Sequence, residues 1–342
     1  MNKMRRIFFN LSVIFIFLTS ISSGHSAESP RIVVSAPGPH NISYLPVDLI
    51  PAIGADTEEG VILNILHTGG GAVALNNMLT RNADFAVAGV PAAMSLKANG
   101  GDVVVITAVD KAPLFVLMVR EDLKDKVKSI ADLKGKVIGV NTSTKSAKTT
   151  SQQLAELLLK SGGVDTDEVR IVPAGQSWVE QSSLMISGQA DAVVGDEPFA
   201  TRLLKAKQVF FLAHLAQAQT VKGIKGTNFL HAALETRSDI IAYEPEKVTK
   251  MVRMVRKSLA WIASHTPEEL VDTLGVHEEE ERTSLIQSLR QYPNAFSEDG
   301  TFDKAQLKET EIFFHSSLEP GEVGGDLKLE NMLDASWVGF SN

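Results

Sequence analysis

Ala190-Asp191-Ala192-Val193-Val194-Gly195-Asp196-Glu197-Pro198 decides the fold, because the chain says it twice. The earlier version reads Ala83-Asp84-Phe85-Ala86-Val87-Ala88-Gly89-Val90-Pro91, and Pro91 and Pro198 stand 107 residues apart. That offset holds without a gap around both copies: Met78 falls on Met185, Leu79 on Ile186, Val87 on Val194, Ala93 on Ala200 and Leu96 on Leu203. Each copy has a short helical pattern leading into Ala-Asp, then a small and branched apolar run, then Pro opening another helix. The pattern predicts helix, buried strand, loop and helix, with the loop at the strand's carboxyl end. Ligands of open α/β sheets sit at such loops. Two lobes built this way and facing each other would enclose a cleft.

Outward from the repeat, Arg31-Ile32-Val33-Val34-Ser35-Ala36 reads as a buried strand, with Pro37-Gly38-Pro39 forcing a loop before His40-Asn41. Leu45 to Ile53 is predicted helical. Val61 to Leu66 reads as a strand running into Gly69-Gly70-Gly71 and a further helix. Three glycines before a helix allow bare backbone N–H groups to face a ligand, and the same residues also suit an ordinary flexible turn. Val103 to Val109 and Pro113 to Val119 are apolar runs. Ile130 to Val140 is a short helix and a strand that begins the second copy, at an offset of 105 from Arg31 to Val33.

The loop after this strand, Asn141-Thr142-Ser143-Thr144-Lys145-Ser146, runs into a helix carrying Ala147, Leu154, Leu157 and Leu158. Hydroxyls, an amide and one ammonium at a helix start suit an oxyanion, whereas a plain N-cap needs only one of the hydroxyls. At the offset of 107, Trp178 takes the place of Gly71; a large aromatic there is either a core plug or a wall of the ligand site, and the cleft-facing glycine of the first copy favours the wall. Thr227 to Leu234 reads as a strand returning to the first lobe, with Asn228 on it. Val248 to Ile262 is helical, and Thr266-Pro267-Glu268-Glu269 is a capping box. Glu278 to Glu281, beside His277, point around a helix rather than at one ion and read as a solvated face.

Composition sets limits. The chain has 342 residues, 44% hydrophobic and 22% charged, as in a two-domain globular protein. It has no cysteine, so a thiolate metal site, a cysteine nucleophile and a lipid-modified cysteine anchor are excluded. Residues 1–27 carry Lys3, Arg5 and Arg6 ahead of the apolar run Ile7 to Ile21 and read as a signal peptide, removed on export to a periplasm. Without them the chain has 30 basic and 41 acidic side chains, a net charge of −11, which disfavours nucleic acid and anionic membrane as partners.

These segments together identify a resemblance. Gly60-Val61 through Gly71, Asn82 to Gly89, Ile130 to Val140 and Ala190 to Pro198, in this order and spacing, resemble the substrate-binding proteins of nitrate/sulfonate/taurine-type ABC importers, relatives of pyrimidine-precursor-binding proteins. The resemblance implies an α/β, two-lobed periplasmic-binding-protein fold (Venus-flytrap, type II). It implies a discontinuous first lobe, 28–117 with 230–342, and a second lobe, 118–229. Mapped residue by residue, the ligand contacts fall on His40, Asn41, Gly69, Gly70, Gly71, Gly89 and Val90 in the first lobe. In the second they fall on Thr142, Ser143, Thr144, Lys145, Ser146, Trp178, Asp196 and Glu197, with Asn228 on the returning segment. Two departures stand out: Asp196 replaces an aromatic common before Glu-Pro, and no aromatic pair follows Gly54.

The expected function is capture of a small anionic or zwitterionic solute and its delivery to a membrane permease, by a monomer with no cofactor, metal or catalytic residue. Asp196 and Glu197 would repel a simple anion unless Glu197 only caps the helix after Pro198. With Asp196 in the cleft, a zwitterion of aminosulfonate type fits better. A ligand-sensing receptor module needs the same trap, and a pyrimidine-synthesising relative would need a histidine and metal arrangement for which His40, His67, His214 and His231 show no characteristic spacing.

Overall fold

The computed structural model describes residues 29–143 and 148–341. In chain order the first half comprises β1 (Arg31–Pro37), α1 (Leu45–Ala52), α2 (Ala55–Glu58), β2 (Ile62–Thr68), α3 (Gly71–Leu79), β3 (Phe85–Gly89), α4 (Val90–Ala98) and β4 (Val104–Ala108). Next come β5 (Phe115–Arg120), β6 (Val137–Val140), α5 (Thr150–Ser161), β7 (Arg170–Pro173), α6 (Trp178–Ile186), β8 (Ala192–Asp196), α7 (Phe199–Lys205) and β9 (Val209–His214). The chain ends with β10 (Ala232–Thr236) and helices α8 (Ser238–Tyr243), α9 (Pro245–Ser264), α10 (Pro267–Thr273), α11 (Glu279–Gln291) and α12 (Lys304–Ser316).

Two five-stranded sheets result, ordered β2-β1-β3-β10-β4 and β7-β6-β8-β5-β9. They are equivalent position by position. In each, the fourth strand comes from the opposite side of the repeat and is the antiparallel one: β10 against β3 and β4, β5 against β8 and β9. The expected two-lobed α/β fold is therefore present. Strand β5 lies wholly in the second sheet although the expected lobe boundary, 117/118, falls inside it.

The repeat is exact through α3 and β3, which match α6 and β8 end to end at 107 residues, and loosens after them, with α4 starting at Val90 and α7 at Phe199. Its Ala-Asp pair has one structural task in both copies. The Asp84 N–H donates to the Val33 carbonyl, and its carboxylate accepts from the Val33 N–H, both at 2.8 Å. Asp191 repeats this against Val137, at 2.8 and 2.9 Å. Each Asp thereby ties the entry of the third strand to the first strand of its sheet, fixing the register on which the apolar alternation depends.

Two apolar layers cover the first sheet and two cover the second. Helices α1 and α9 bury Leu45, Leu49, Met251, Val255 and Leu259 over one face of the first sheet, as the helical spacing predicts. The capping box at Thr266 and Glu269 is made. Helix α12 ties the two halves: Phe313 stacks on Phe229 at 4.1 Å in the second lobe's core, while Phe314 sits in the first lobe's.

Two sequence expectations need correction. The returning segment is a strand only from Ala232; Leu230 N–H donates instead to Thr310 Oγ1 and His231 N–H to the Asp110 carboxylate, so this stretch crosses between lobes without a strand partner. Helix α5 begins at Thr150 with Thr149 as N-cap, several residues beyond the loop expected to form its start.

Glu235, in the middle of β10, is completely buried, and neither carboxylate oxygen has a hydrogen-bond partner among the described residues. Burial raises its pKa well above the ordinary range. The folded state thus holds a proton that the unfolded chain releases near pH 4 to 5, and stability falls as pH rises from there towards the folded pKa. Glu235→Leu is expected to raise the melting temperature by several degrees at pH 8 and little at pH 5, as read by calorimetry across that range.

Candidate ligand-binding cleft

The lobes meet along the strand ends. Ser143 N–H donates to the Gly69 carbonyl at 2.7 Å, Asn41 Nδ2 donates to Asp196 Oδ2 at 2.5 Å, and Gln153 Nε2 donates to the Pro91 carbonyl at 3.0 Å. Glycine is required at these approaches. A Cβ on Gly69 would stand 2.1 Å from Ser143 Oγ, and one on Gly89 would stand 2.1 Å from Thr150 Oγ1 and 3.0 Å from the His231 ring.

Behind these contacts lies a small cavity, about 20 Å³, lined by both lobes. Three helices start at it: α3 at Gly71, α4 at Gly89, and α5 at Thr149, Thr150 and Ser151. The first N–H groups of a helix have no intrahelical acceptor, so the convergence gives positive potential without a basic side chain. No lysine or arginine lines the cavity among the described residues. Tyr44, Phe115 and His231 make the aromatic wall, with Phe115 edge-on to His231 at 4.7 Å.

Four polar atoms on this lining are buried and lack a hydrogen-bond partner among the described residues: Thr150 Oγ1, Gln176 Oε1, Asp196 Oδ1 and His231 Nδ1. Buried polar atoms are rarely left unpaired, so four around one cavity mark the place where a ligand's own polar groups belong. Burial lowers the His231 pKa to about 3, so its ring is neutral; Nε2 lies 3.1 Å from the Tyr44 hydroxyl. Asp196 is pushed up to about 7, first by burial and also by the Glu197 charge, against the lowering hydrogen bonds from Asn41 and Asn141. This carboxyl changes charge near neutral pH.

Of the residues expected from sequence, Gly71, Gly89 and Asp196 line the cavity. Asn41, Gly69, Gly70, Val90, Thr142 and Ser143 form its rim through lobe contacts or helix starts: Gly70 packs against Thr142, and Val90 N–H donates to the His231 carbonyl. Thr144, Lys145 and Ser146 lie outside the described residues. His40, at φ 59°, pairs with Glu281 at 2.9 Å away from the cavity. Asn228 is exposed on the crossing segment. Trp178 opens α6 as Gly71 opens α3, but its ring lies under the Arg202 guanidinium, 4.2 Å from it, and not on the cavity lining. Glu197 turns away too: its carboxylate accepts from the N–H and Oγ1 of Thr201 and from Ser288 Oγ, so it caps α7.

Sequence reading missed Tyr44, Phe115, Thr149, Thr150, Ser151 and Gln176, and gave His231 no place in the cleft. A signal for α5 was available: Thr149-Thr150-Ser151-Gln152 has the Thr-x-x-Gln spacing of a helix start, and Gln152 N–H does donate to Thr149 Oγ1.

The NMT1/THI5 like family description matches residues 57–269, more than half of the chain. The chain belongs to the NMT1/THI5-like family. The repeat-based resemblance agrees with this. No curated protein matches the chain. Among solved structures, a protein from Bordetella bronchiseptica RB50 superposes with a TM-score of 0.80 at 18% identity, over 91% of this chain and 96% of that one. The alkanesulfonate-binding protein SsuA from Xanthomonas axonopodis pv. citri, bound to MOPS, gives 0.70 at 15% identity, over 91% and 100%. The desulfurization enzyme DSZB gives 0.59 at 15% identity, over 90% and 97%. These likenesses show that this NMT1/THI5-like chain has the fold of periplasmic binding proteins, a fold that also carries an enzyme. No helix among the described residues is long and apolar enough to cross a membrane.

Proposed function

We propose that the chain is the extracytoplasmic solute-binding component of an ABC importer, exported behind residues 1–27 and acting as a monomer. It traps a small zwitterionic organic solute of aminosulfonate type and presents it to a membrane permease. The observation that carries this reading is the pairing, around one cavity, of three helix starts with unpartnered acceptors at Gln176 Oε1 and Asp196 Oδ1. The helix starts suit the anionic head; the two acceptors suit an ammonium. The lobes are taken to move about the two crossings, residues 109–114 and 227–231, with ligand stabilising the closed form.

Binding rather than catalysis is the better reading, because every unpartnered atom on the lining among the described residues is a hydrogen-bonding group and none of them is an activated nucleophile. Calorimetric titration with an aminosulfonate, the matching alkanesulfonate lacking the amine, and nitrate tests it. Micromolar or tighter binding, about −8 kcal/mol, is expected for the aminosulfonate alone. Tighter binding of the amine-free sulfonate would overturn the zwitterion assignment, and no binding of any of the three would overturn the ligand class.

A further inference from the structure

Helix α11 lies across the two lobes. Leu285 and Leu289 are buried in the first lobe's core, while Ser288 beside them reaches α7 of the second lobe, its hydroxyl donating to Glu197. Its C-terminal end sits at a crossing, where the Tyr292 hydroxyl meets His214 Nε2 at 2.6 Å and Lys111 N–H donates to the Ala295 carbonyl. Its N-terminal end is about 18 Å away, at 1.5 Å per residue. There Arg202 of α7 reaches Glu278 at 3.0 Å and Glu280 at 3.1 Å, both from the first lobe. The Arg202 side chain is only 13% exposed, since one face lies on the Trp178 ring.

We infer that Arg202, held flat on Trp178 and paired with Glu278 and Glu280, is a latch that holds the lobes together from outside the ligand cavity. A contact far from the crossings resists opening with a long lever arm. Three features suit Arg202 to it. Stacking on Trp178 removes most of the freedom that a surface arginine would lose on pairing. The carboxylates stand at the start of α11, where negative charge complements the helix dipole. Both remain open to solvent, at 52% and 75%, so the contact responds to salt. Trp178 and the Glu278 to Glu281 run thus act on affinity without touching the solute. Arg202 is a positioning residue: it sets how much of the protein is closed.

The inference builds on the solute-binding reading but is tested apart from it. The chain has no cysteine, so Asn64→Cys in β2 and Lys160→Cys in α5 give one exposed spin label per lobe. In the ligand-free protein, Arg202→Gln is expected to shift the interlobe distance distribution to longer values and to reduce its dependence on salt, leaving the part carried by Lys148 with Glu322. Arg202→Lys, which returns the charge without the planar stack on Trp178, is expected to restore closure in part together with the response to salt. With the aminosulfonate, stopped-flow fluorescence is expected to show about fivefold faster dissociation for Arg202→Gln and nearly unchanged association, as for an exposed charge pair. A native distance distribution in Arg202→Gln at low and high salt would overturn the latch whether or not any solute binds. Restored closure without solute binding would uphold the latch and count against the binding function alone.

Discussion

Gly89→Val loses at least about a hundredfold in solute affinity, measured by calorimetry, while its thermal unfolding without ligand falls only by the smaller cost of crowding the His231 ring. The reason is geometric. Gly89 ends β3 at φ −76°, a conformation open to any residue, so the substitution strains no backbone. A Cβ there meets Thr150 Oγ1 at 2.1 Å and His231 Cε1 at 3.0 Å. Thr150 belongs to the second lobe and can retreat only if the lobes part, whereas His231 is fixed through Tyr44 and the Asp110 carboxylate. The open form escapes the Thr150 clash, so the cost falls on closure, and a ligand that must bridge both lobes bears all of it. Native affinity in Gly89→Val would show that the lobes need not approach as closely as they do here for binding.

Asp196→Asn weakens aminosulfonate binding by about a hundredfold at pH 8 and by little at pH 6. The Asp196 carboxyl, with a pKa of about 7, is neutral below that value and charged above it. An ammonium gains a charged partner as pH rises through neutrality, so native affinity for the zwitterion strengthens in that direction. A plain anion shows the opposite slope, and Asn removes both slopes. The other titratable groups at the cavity do not follow this profile. His231 is neutral down to about 3, Tyr44 is pushed further up by burial and neighbouring carboxylates, and burial pushes Asp110 well above the usual carboxylate range against two backbone N–H bonds. Glu197 contributes its charge to Asp196 from the far side, where it caps α7. A linked effect appears in the ligand-free protein. The raised folded pKa means that stability is lost as pH climbs from about 4 to about 7, so Asp196→Asn also melts higher than native at pH 8. A pH-independent native affinity would remove Asp196 from the ligand site.

What the sequence disclosed was whatever depends on neighbours in the chain. The repeat, the strands and most helix starts are written in local spacing, and Asp84 and Asp191 proved to do identical work at identical positions. The facing of Gly71, Gly89 and Asp196 followed from the topology that the repeat implies. Trp178 shows the limit. Its position in the repeat was right, but where an aromatic ring points depends on what stacks on it, and Arg202 lies 24 residues further along. Glu197 could be read either way until Ser288, from a distant helix, was seen against it. Tyr44, Phe115 and His231 carry no local signature at all. They become one wall only because the chain crosses between lobes twice.

Those crossings have a consequence for the protein's ancestry and engineering. Each sheet takes its fourth strand from across the repeat, β5 completing one half and β10 the other. A chain holding a single copy of the motif would therefore lack a strand in the interior of its sheet, leaving β3 or β8 with one bare side. Two such chains meet the need by lending each other that strand, as a symmetric swapped dimer. The present molecule has the architecture of such a dimer joined into one polypeptide. Its cleft lies on the former symmetry axis, and the difference between Gly89 and Asp196 is what the joining made possible.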